Sequence, residues 1–148
     1  NPSLKPYLKG ILGRSELRIG KSGCRIEAHS APYEKDFLAS LQAGPRLLPE
    51  LRLEKEAFLA FRGKKVLRDP LRFRVKIRRS AVGIRKNGEI VFLFLEKGDV
   101  FQLREEMRAL GCSEAMALDG GSSSALAAGK RFFGASSVRC ALLLKKRK

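Results

Sequence analysis

The stretch Ala117-Leu118-Asp119-Gly120-Gly121-Ser122-Ser123-Ser124 gathers residue types that chemistry can use. Asp119 offers a carboxylate. Gly120 and Gly121 let the backbone approach a ligand closely and adopt positive φ. Ser122, Ser123 and Ser124 add hydroxyl donors beside exposed amides, a set suited to phosphate or to sugar hydroxyls. The same residues also suit a plain strand-to-strand turn in which Asp119 bonds its own backbone. Composition alone leaves both readings open.

Other chemistries are narrowed by counting. The lone His29 and the widely spaced Cys24, Cys112 and Cys140 form no CxxC or HxxxH pattern, so no metal site and no cofactor are implied. Three cysteines exclude a full disulfide framework, and the apolar surroundings of Cys112 and Cys140 suit buried free thiols. His29 lies in an irregular segment, where a structural or exposed role fits it better than acid/base work.

Charge points to the partner. Lys and Arg number 31 against 15 Asp and Glu, a net charge of +16. Arg62 to Lys86 holds eleven basic residues and one acid, Asp69. From Ala125 onward there are seven basic residues and no acid, ending in the tail Lys145-Lys146-Arg147-Lys148. Such density concentrates anions: phosphates, nucleic acid or other polyanions. Only Phe61, Phe73, Phe132 and Phe133 stand in or beside the basic runs, which gives stacking on single-stranded bases little support.

The elements that must position the Asp119 segment follow from patterning. The 148 residues fit a single domain, 1–148, and 44% apolar residues spread along the chain argue against disorder. The longest apolar run, Ile90 to Leu95, is far short of the roughly 20 residues that span a bilayer. The chain opens at Asn1 with no charged-then-apolar leader, as a mature or trimmed product would.

Leu17 to Ile19 and Cys24 to Ala28 read as short strands around a Gly20 to Gly23 turn, with a loop at Ser30 to Tyr33. Phe37 to Leu48 is apolar and interrupted at Gly44-Pro45. Leu51, Phe58, Leu59 and Phe61 fit a helix ending at Gly63. Phe73, Val75 and Ile77 alternate with basic residues, predicting a strand with one apolar and one basic face. Asn87-Gly88 predicts a hairpin between Ala81–Arg85 and Ile90–Leu95. The second of these strands is apolar throughout, which places it centrally, covered on both faces. Asp99 and Gln102 form a capping box for a helix with Val100, Leu103, Met107 and Leu110 on one stripe, stopped by Gly111. Glu114 to Leu118 reads as a buried strand, so strand, helix, strand predicts a parallel crossover. Ser124 to Ala128 and Val138 to Leu144 complete the sheet. The fold class is α/β (α+β): a mixed central β-sheet with flanking helices. Asp119 then lies at a strand's carboxyl end, where open sheets bind ligands.

Four segments, in order, resemble the phosphodiester glycosidase family. Leu118 to Leu126 is similar to its LDGG-S-S signature, and Leu41-Gln42-Ala43-Gly44-Pro45-Arg46-Leu47-Leu48 to its Q-(S/A)-G-P-x-L-(L/I) element. Arg78-Arg79-Ser80-Ala81-Val82-Gly83-Ile84 is similar to its R-(T/S)-A-(I/V)-G strand, and Phe101 to Gly111 to the helix before the signature. The resemblance is strongest over 36–144. The family's Asn-Gly-Gly-Phe-Phe-like strand has no counterpart, and the linker after Phe94 shortens to Glu96-Lys97-Gly98. The chain thus looks like the carboxyl-terminal two-thirds of such a domain.

The resemblance implies a hydrolase that cleaves a sugar-1-phosphodiester bond, on a phosphorylated sugar or glycopolymer and outside the cytoplasm. Asp119 would be the catalytic carboxylate and Arg79 the phosphate clamp, since a guanidinium fork can hold two phosphoryl oxygens. Gln42, Arg46, Ser80, Gly120, Gly121, Ser122, Ser123 and Ser124 would bind substrate; for Arg79 a strand-surface arginine is an equal alternative, and for Arg46 a surface charge is the simpler reading. Glu96 and Glu114 read as surface groups. A polyanion- or nucleic-acid-binding module and a non-catalytic sugar-phosphate receptor are the other readings the residues leave open.

Overall fold

The computed structural model describes residues 2–134 together with 137 and 142; the strand expected at Val138 to Leu144, Cys140 and the basic tail lie outside them. A 3-10 turn, Pro2–Tyr7, runs into a short helix α1, Leu8–Leu12. Strands β1 (Ser15–Gly20), β2 (Gly23–Ala28) and β3 (Phe37–Gln42) form a three-stranded sheet in the order β2-β1-β3. Next come β4 (Arg46–Leu48), the hairpin of β5 (Ala60–Arg62) and β6 (Lys65–Arg68), and β7 (Ile77–Arg85). Then follow β8 (Ile90–Gly98), helix α2 (Val100–Ala109), β9 (Cys112–Ala117), and the hairpin β10 (Ala125–Ala128) and β11 (Arg131–Gly134). The second large sheet has the order β4-β9-β7-β8.

The protein is mostly β, and no mixed central sheet forms: every ladder among the described residues is antiparallel. The Asn87-Gly88 turn makes β7 and β8 a hairpin, so the edge left for β9 is that of β7. Strands β8 and β9 therefore run in the same direction with β7 between them. The expected strand-helix-strand passage exists, but it makes no parallel pairing.

Two apolar clusters hold three layers together. Ala81, Ala115 and Ala117 face α2, packing with Val100, Leu103, Met107, Leu47, Phe58 and Phe73. Val82, Ile84 and Met116 face the three-stranded sheet and meet Leu17 and Ile26. The strands buried on both faces are thus β7 and β9. Strand β8 is an edge strand instead of the predicted central one. Its uninterrupted apolar run still has a cause, because Val91, Leu93 and Leu95 pack on the first cluster and Ile90 and Phe92 on the second. Gly83 leaves no room for a side chain, since an added Cβ would collide with Met107 Cε and lie 2.8 Å from Cys112 Sγ and 2.9 Å from Glu114 O. Helix α2 starts at the Asp99–Gln102 capping box, with both reciprocal bonds formed.

Two further expectations give way to tertiary contacts. Residues 51–59 form turns, not a helix: Phe58 and Leu59 N–H both donate to Leu53 O, and Ala57 takes a φ of 54°. Phe73 to Lys76 is a loop, not a strand; Phe73 is buried, Val75 exposed, and β7 begins only at Ile77.

Candidate active site

The signature loop leaves β9 after Ala117 and is tied to the sheet on two sides. Leu118 N–H donates to Ser80 O at 2.8 Å, and Ser80 Oγ donates back to Asp119 O at 2.7 Å. Gly44 N–H donates to Ala117 O at 3.0 Å, and Ala117 N–H to Pro45 O at 2.9 Å. The three sequence segments singled out around Gly44, Ser80 and Asp119 therefore meet at one end of β9.

Within the loop, Gly121 has a φ of 66° and Gly121–Ser123 form a 3-10 turn. Ser123 Oγ donates to Gly120 O at 3.2 Å, and Ser124 N–H to Gly121 O at 3.3 Å. A side chain at Gly120 would start 3.2 Å from Arg78 O and 3.4 Å from Arg79 Nη1, so the loop lies directly on Arg79. Asp119 is exposed, and no hydrogen bond or ion pair engages its carboxylate among the described residues. Ser122 is exposed, whereas Ser124 is buried with its hydroxyl unpartnered among the described residues.

The two arginines divide differently from expectation. Arg79 is 4% exposed, and its fork is occupied by backbone: Leu71 O at 2.9 Å, Arg72 O at 2.9 Å, Val75 O at 3.0 Å and Gly98 O at 3.3 Å. Burial pulls its pKa down, opposed by the charges of Asp99 and Asp69. These carbonyls also explain the loop at 71–75, since Arg79 draws them inward and a strand cannot present them all to one side chain.

Arg46 is not a surface charge. It is 8% exposed beside Met116, and its Nε and Nη2 have no partner among the described residues. Burial lowers its pKa, as does Arg52, while Glu114, Glu27 and Glu56 oppose the shift from a distance. An unpartnered buried guanidinium is costly to a fold and well suited to an anion.

Gln42 is placed apart. It pairs with Glu16 in the β1–β3 ladder, whereas the neighbouring Leu17 belongs to the core facing the other sheet, so Gln42 lies on the outer face with Glu16 and Glu27. That face holds a cluster the sequence did not reveal. Glu16, 1% exposed, accepts from Arg18 Nε at 2.8 Å and pairs with His29 Nδ1 at 2.9 Å. Arg18 also donates to Pro32 O, Ala28 O and Ala31 O, closing the 29–34 loop over the sheet. A second buried carboxylate, Glu56, accepts from Ser15 Oγ at 2.7 Å and Arg46 N–H at 3.2 Å. Burial raises its pKa, against the pull of those hydrogen bonds. A charged residue on a short strand, like Glu16, or in a charged turn, like Glu56, looks solvated in sequence, so no signal marked these two.

Glu96 and Glu114 are engaged elsewhere: Glu96 with Arg78 at 3.0 Å, and Glu114 with Ile26 N–H at 2.6 Å. Among the described residues no group of three His, Cys, Asp or Glu stands together, and no helix is long and apolar enough to cross a membrane.

A family model described as "Phosphodiester glycosidase" matches residues 11–142 and so takes in β1 and β2 as well as the four segments. Among solved structures, the chain is similar to the catalytic domain of zebrafish N-acetylglucosamine-1-phosphodiester alpha-N-acetylglucosaminidase, auto-inhibited by its pro-peptide. The match has a TM-score of 0.57 at 19% identity and covers 86% of this chain and 48% of the zebrafish chain. A hypothetical protein from Synechocystis matches with a TM-score of 0.50 at 18% identity, covering 84% of this chain and 32% of that one. These likenesses show the fold, and the chain spans about half the length of the zebrafish domain (48%). No curated protein sequence matches.

Proposed function

The chain belongs to the phosphodiester glycosidase family, and from that premise we propose that it hydrolyses the bond between a sugar's anomeric carbon and a phosphodiester oxygen. What supports this reading is Asp119: a free, exposed carboxylate on a loop whose backbone is pinned by Ser80 and seated on Arg79. A phosphate group is a better leaving group than an alcohol, so the demand for a strong general acid is small. The carbon–oxygen bond breaks with its electron pair leaving on the phosphoryl oxygen. Asp119 stabilises the oxocarbenium-like carbon and takes the proton of the attacking water, whose oxygen becomes the new anomeric hydroxyl.

The departing phosphate monoester needs donors. Arg79 is occupied, so the guanidinium that meets the phosphoryl oxygens in this mechanism is Arg46, whose Nε and Nη2 have no partner among the described residues. The amides of Gly121 to Ser123 and the hydroxyls of Ser122 and Ser124 complete the set.

The test is release of free sugar from a panel of sugar-1-phosphodiesters by the protein and by Asp119→Asn. Turnover that falls at least about 100-fold in a variant with an unchanged circular dichroism spectrum is the expected result. Binding of these compounds without release by the unaltered protein would overturn catalysis and leave a sugar-phosphate receptor.

A further inference from the structure

The most uneven part of the surface outside the signature loop is the stretch from Phe61 to Lys76. Arg62, Lys64, Lys65, Arg72, Arg74 and Lys76 are all exposed, and none has an ion-pair partner among the described residues. The one acid among them, Asp69, is turned to the backbone, where its carboxylate accepts Phe73 N–H at 3.1 Å. Five other surface cations are matched, Arg52 and Lys55 by Glu50, Arg78 by Glu96, Arg85 by Glu89 and Arg108 by Glu105, while those without an ion pair among the described residues, such as Lys21, Lys35 and Lys97, stand widely apart in sequence. The densest run of uncompensated charge among the described residues is thus 62–76.

That stretch is built rather than loose. The Arg79 fork holds Leu71 O, Arg72 O and Val75 O, and Arg72 sits in the left-handed region at a φ of 50°. A non-glycine residue keeps that conformation only when its surroundings impose it. The same guanidinium supports Gly120, so one side chain fixes the cationic loop relative to Asp119. Beside the loop, a cleft of about 380 Å³ has Phe61, Phe73 and Phe101 among its walls and Arg52, Lys55 and Arg74 at its rim. Aromatic faces next to cations suit sugar rings that carry phosphates.

A substrate with a single phosphate would touch few of these cations. Resting on the glycosidase reading above, we propose that the substrate is a polyanionic glycopolymer with repeated phosphodiester groups. It lies across Arg72, Arg74, Lys76 and the β5–β6 hairpin while one sugar-phosphate linkage reaches Asp119.

The experiment compares the protein with Arg72→Gln/Arg74→Gln/Lys76→Gln, which keeps the backbone carbonyls that Arg79 holds. Arg85→Gln/Lys86→Gln/Arg108→Gln removes equal charge elsewhere and serves as the control. Turnover is measured on a small sugar-1-phosphodiester and on poly(glycerol phosphate) bearing the same sugar linkage. Binding of labelled poly(glycerol phosphate) is followed against salt. The expected result is a rise of about tenfold or more in polymer KM and Kd and a shallower salt dependence for the first variant alone, with the small substrate unaffected. Equal effects in both variants, or tighter binding of oligothymidylate or anionic vesicles than of the polymer, would overturn the proposal. Polymer binding that depends on Arg72, Arg74 and Lys76 without turnover of any substrate sinks the glycosidase reading, and the substrate assignment with it. Turnover of the small substrate without polymer preference sinks only the polymer.

Discussion

Ser80 and Asp119 are joined across two strands by a 2.7 Å hydrogen bond from the serine hydroxyl to the aspartate's backbone carbonyl. The bond runs beside the ladder bond from Leu118 N–H to Ser80 O, so the chain is gripped on both sides of the point where β9 ends. It fixes the backbone of Asp119 and leaves the carboxylate free. Positioning and chemistry are thus divided between two residues that lie 39 positions apart.

Ser80→Ala removes that grip without disturbing the ladder. We expect kcat to fall about tenfold with stability reduced by about 1 kcal/mol, the ordinary net worth of one such bond. Ser80→Thr, which keeps a hydroxyl, should recover most of the rate. Steady-state kinetics with urea unfolding checks both. An alanine variant with full activity would show that the loop holds its shape unaided.

Arg46 carries a different prediction, because its buried Nε and Nη2 lack partners among the described residues. Arg46→Met replaces an uncompensated charge by an apolar side chain of similar length, and the unliganded variant should lie within about 1 kcal/mol of the original stability. Phosphate should raise the Tm of the original protein and not of the variant, since a ligand stabilises only the state that binds it. Thermal scans with and without inorganic phosphate decide this.

Arg79→Lys tests whether the fork is structural. An ammonium cannot reach four carbonyls from two segments, the loop at 71–75 and the end of β8, so buried acceptors lose their donor at a cost of about 3 kcal/mol. The loop at 71–75 should become sensitive to proteolysis, and Gly120 should lose its support. Retained stability with lost phosphate binding would exchange the roles of Arg79 and Arg46.

Gly83→Ala addresses the packing behind the site. The added methyl would collide with Met107 Cε and lie 2.8 Å from Cys112 Sγ and 2.9 Å from Glu114 O, and while the Met107 tip can swing aside the backbone cannot. A loss of about 1–3 kcal/mol is expected from overpacking of this kind, read from denaturant midpoints.

Local signals in the sequence were legible where the local chemistry decides. Asn87-Gly88 made its hairpin, Asp99 and Gln102 their capping box, and Leu118 to Ser124 a loop at the end of a buried strand. Signals failed where a distant side chain overrides the pattern. The alternation at Phe73, Val75 and Ile77 gives way to the Arg79 fork, and the helical spacing at Leu51 to Phe61 gives way to turns around buried Glu56. The apolar run of β8 reported coverage of both faces correctly, but coverage of faces says nothing about the lateral edge, so the sheet order could not be read from it.

The two buried carboxylates give opposite pH signatures. Burial raises the pKa of Glu56, so it favours the protonated form when folded. Its contribution is fully present below the ordinary value of 4.5 and is lost as pH rises through the folded pKa. Glu56→Gln mimics the protonated form, so its Tm should gain on that of the original protein as pH climbs above 4.5. For Glu16, burial pushes the pKa up, but hydrogen bonds from His29, Arg18 and Tyr33 outweigh it and the net shift is downward. Its contribution is present above 4.5 and is lost as pH falls through the lower folded value. Glu16→Gln should therefore be most destabilising at neutral pH, with the difference closing in acid. Thermal scans of both variants across pH 3 to 8, roughly the span in which carboxylates titrate and proteins keep their stability, separate the two slopes. If the slopes share one sign, either Glu56 is not held out of water or Glu16 is not held by Arg18 and His29.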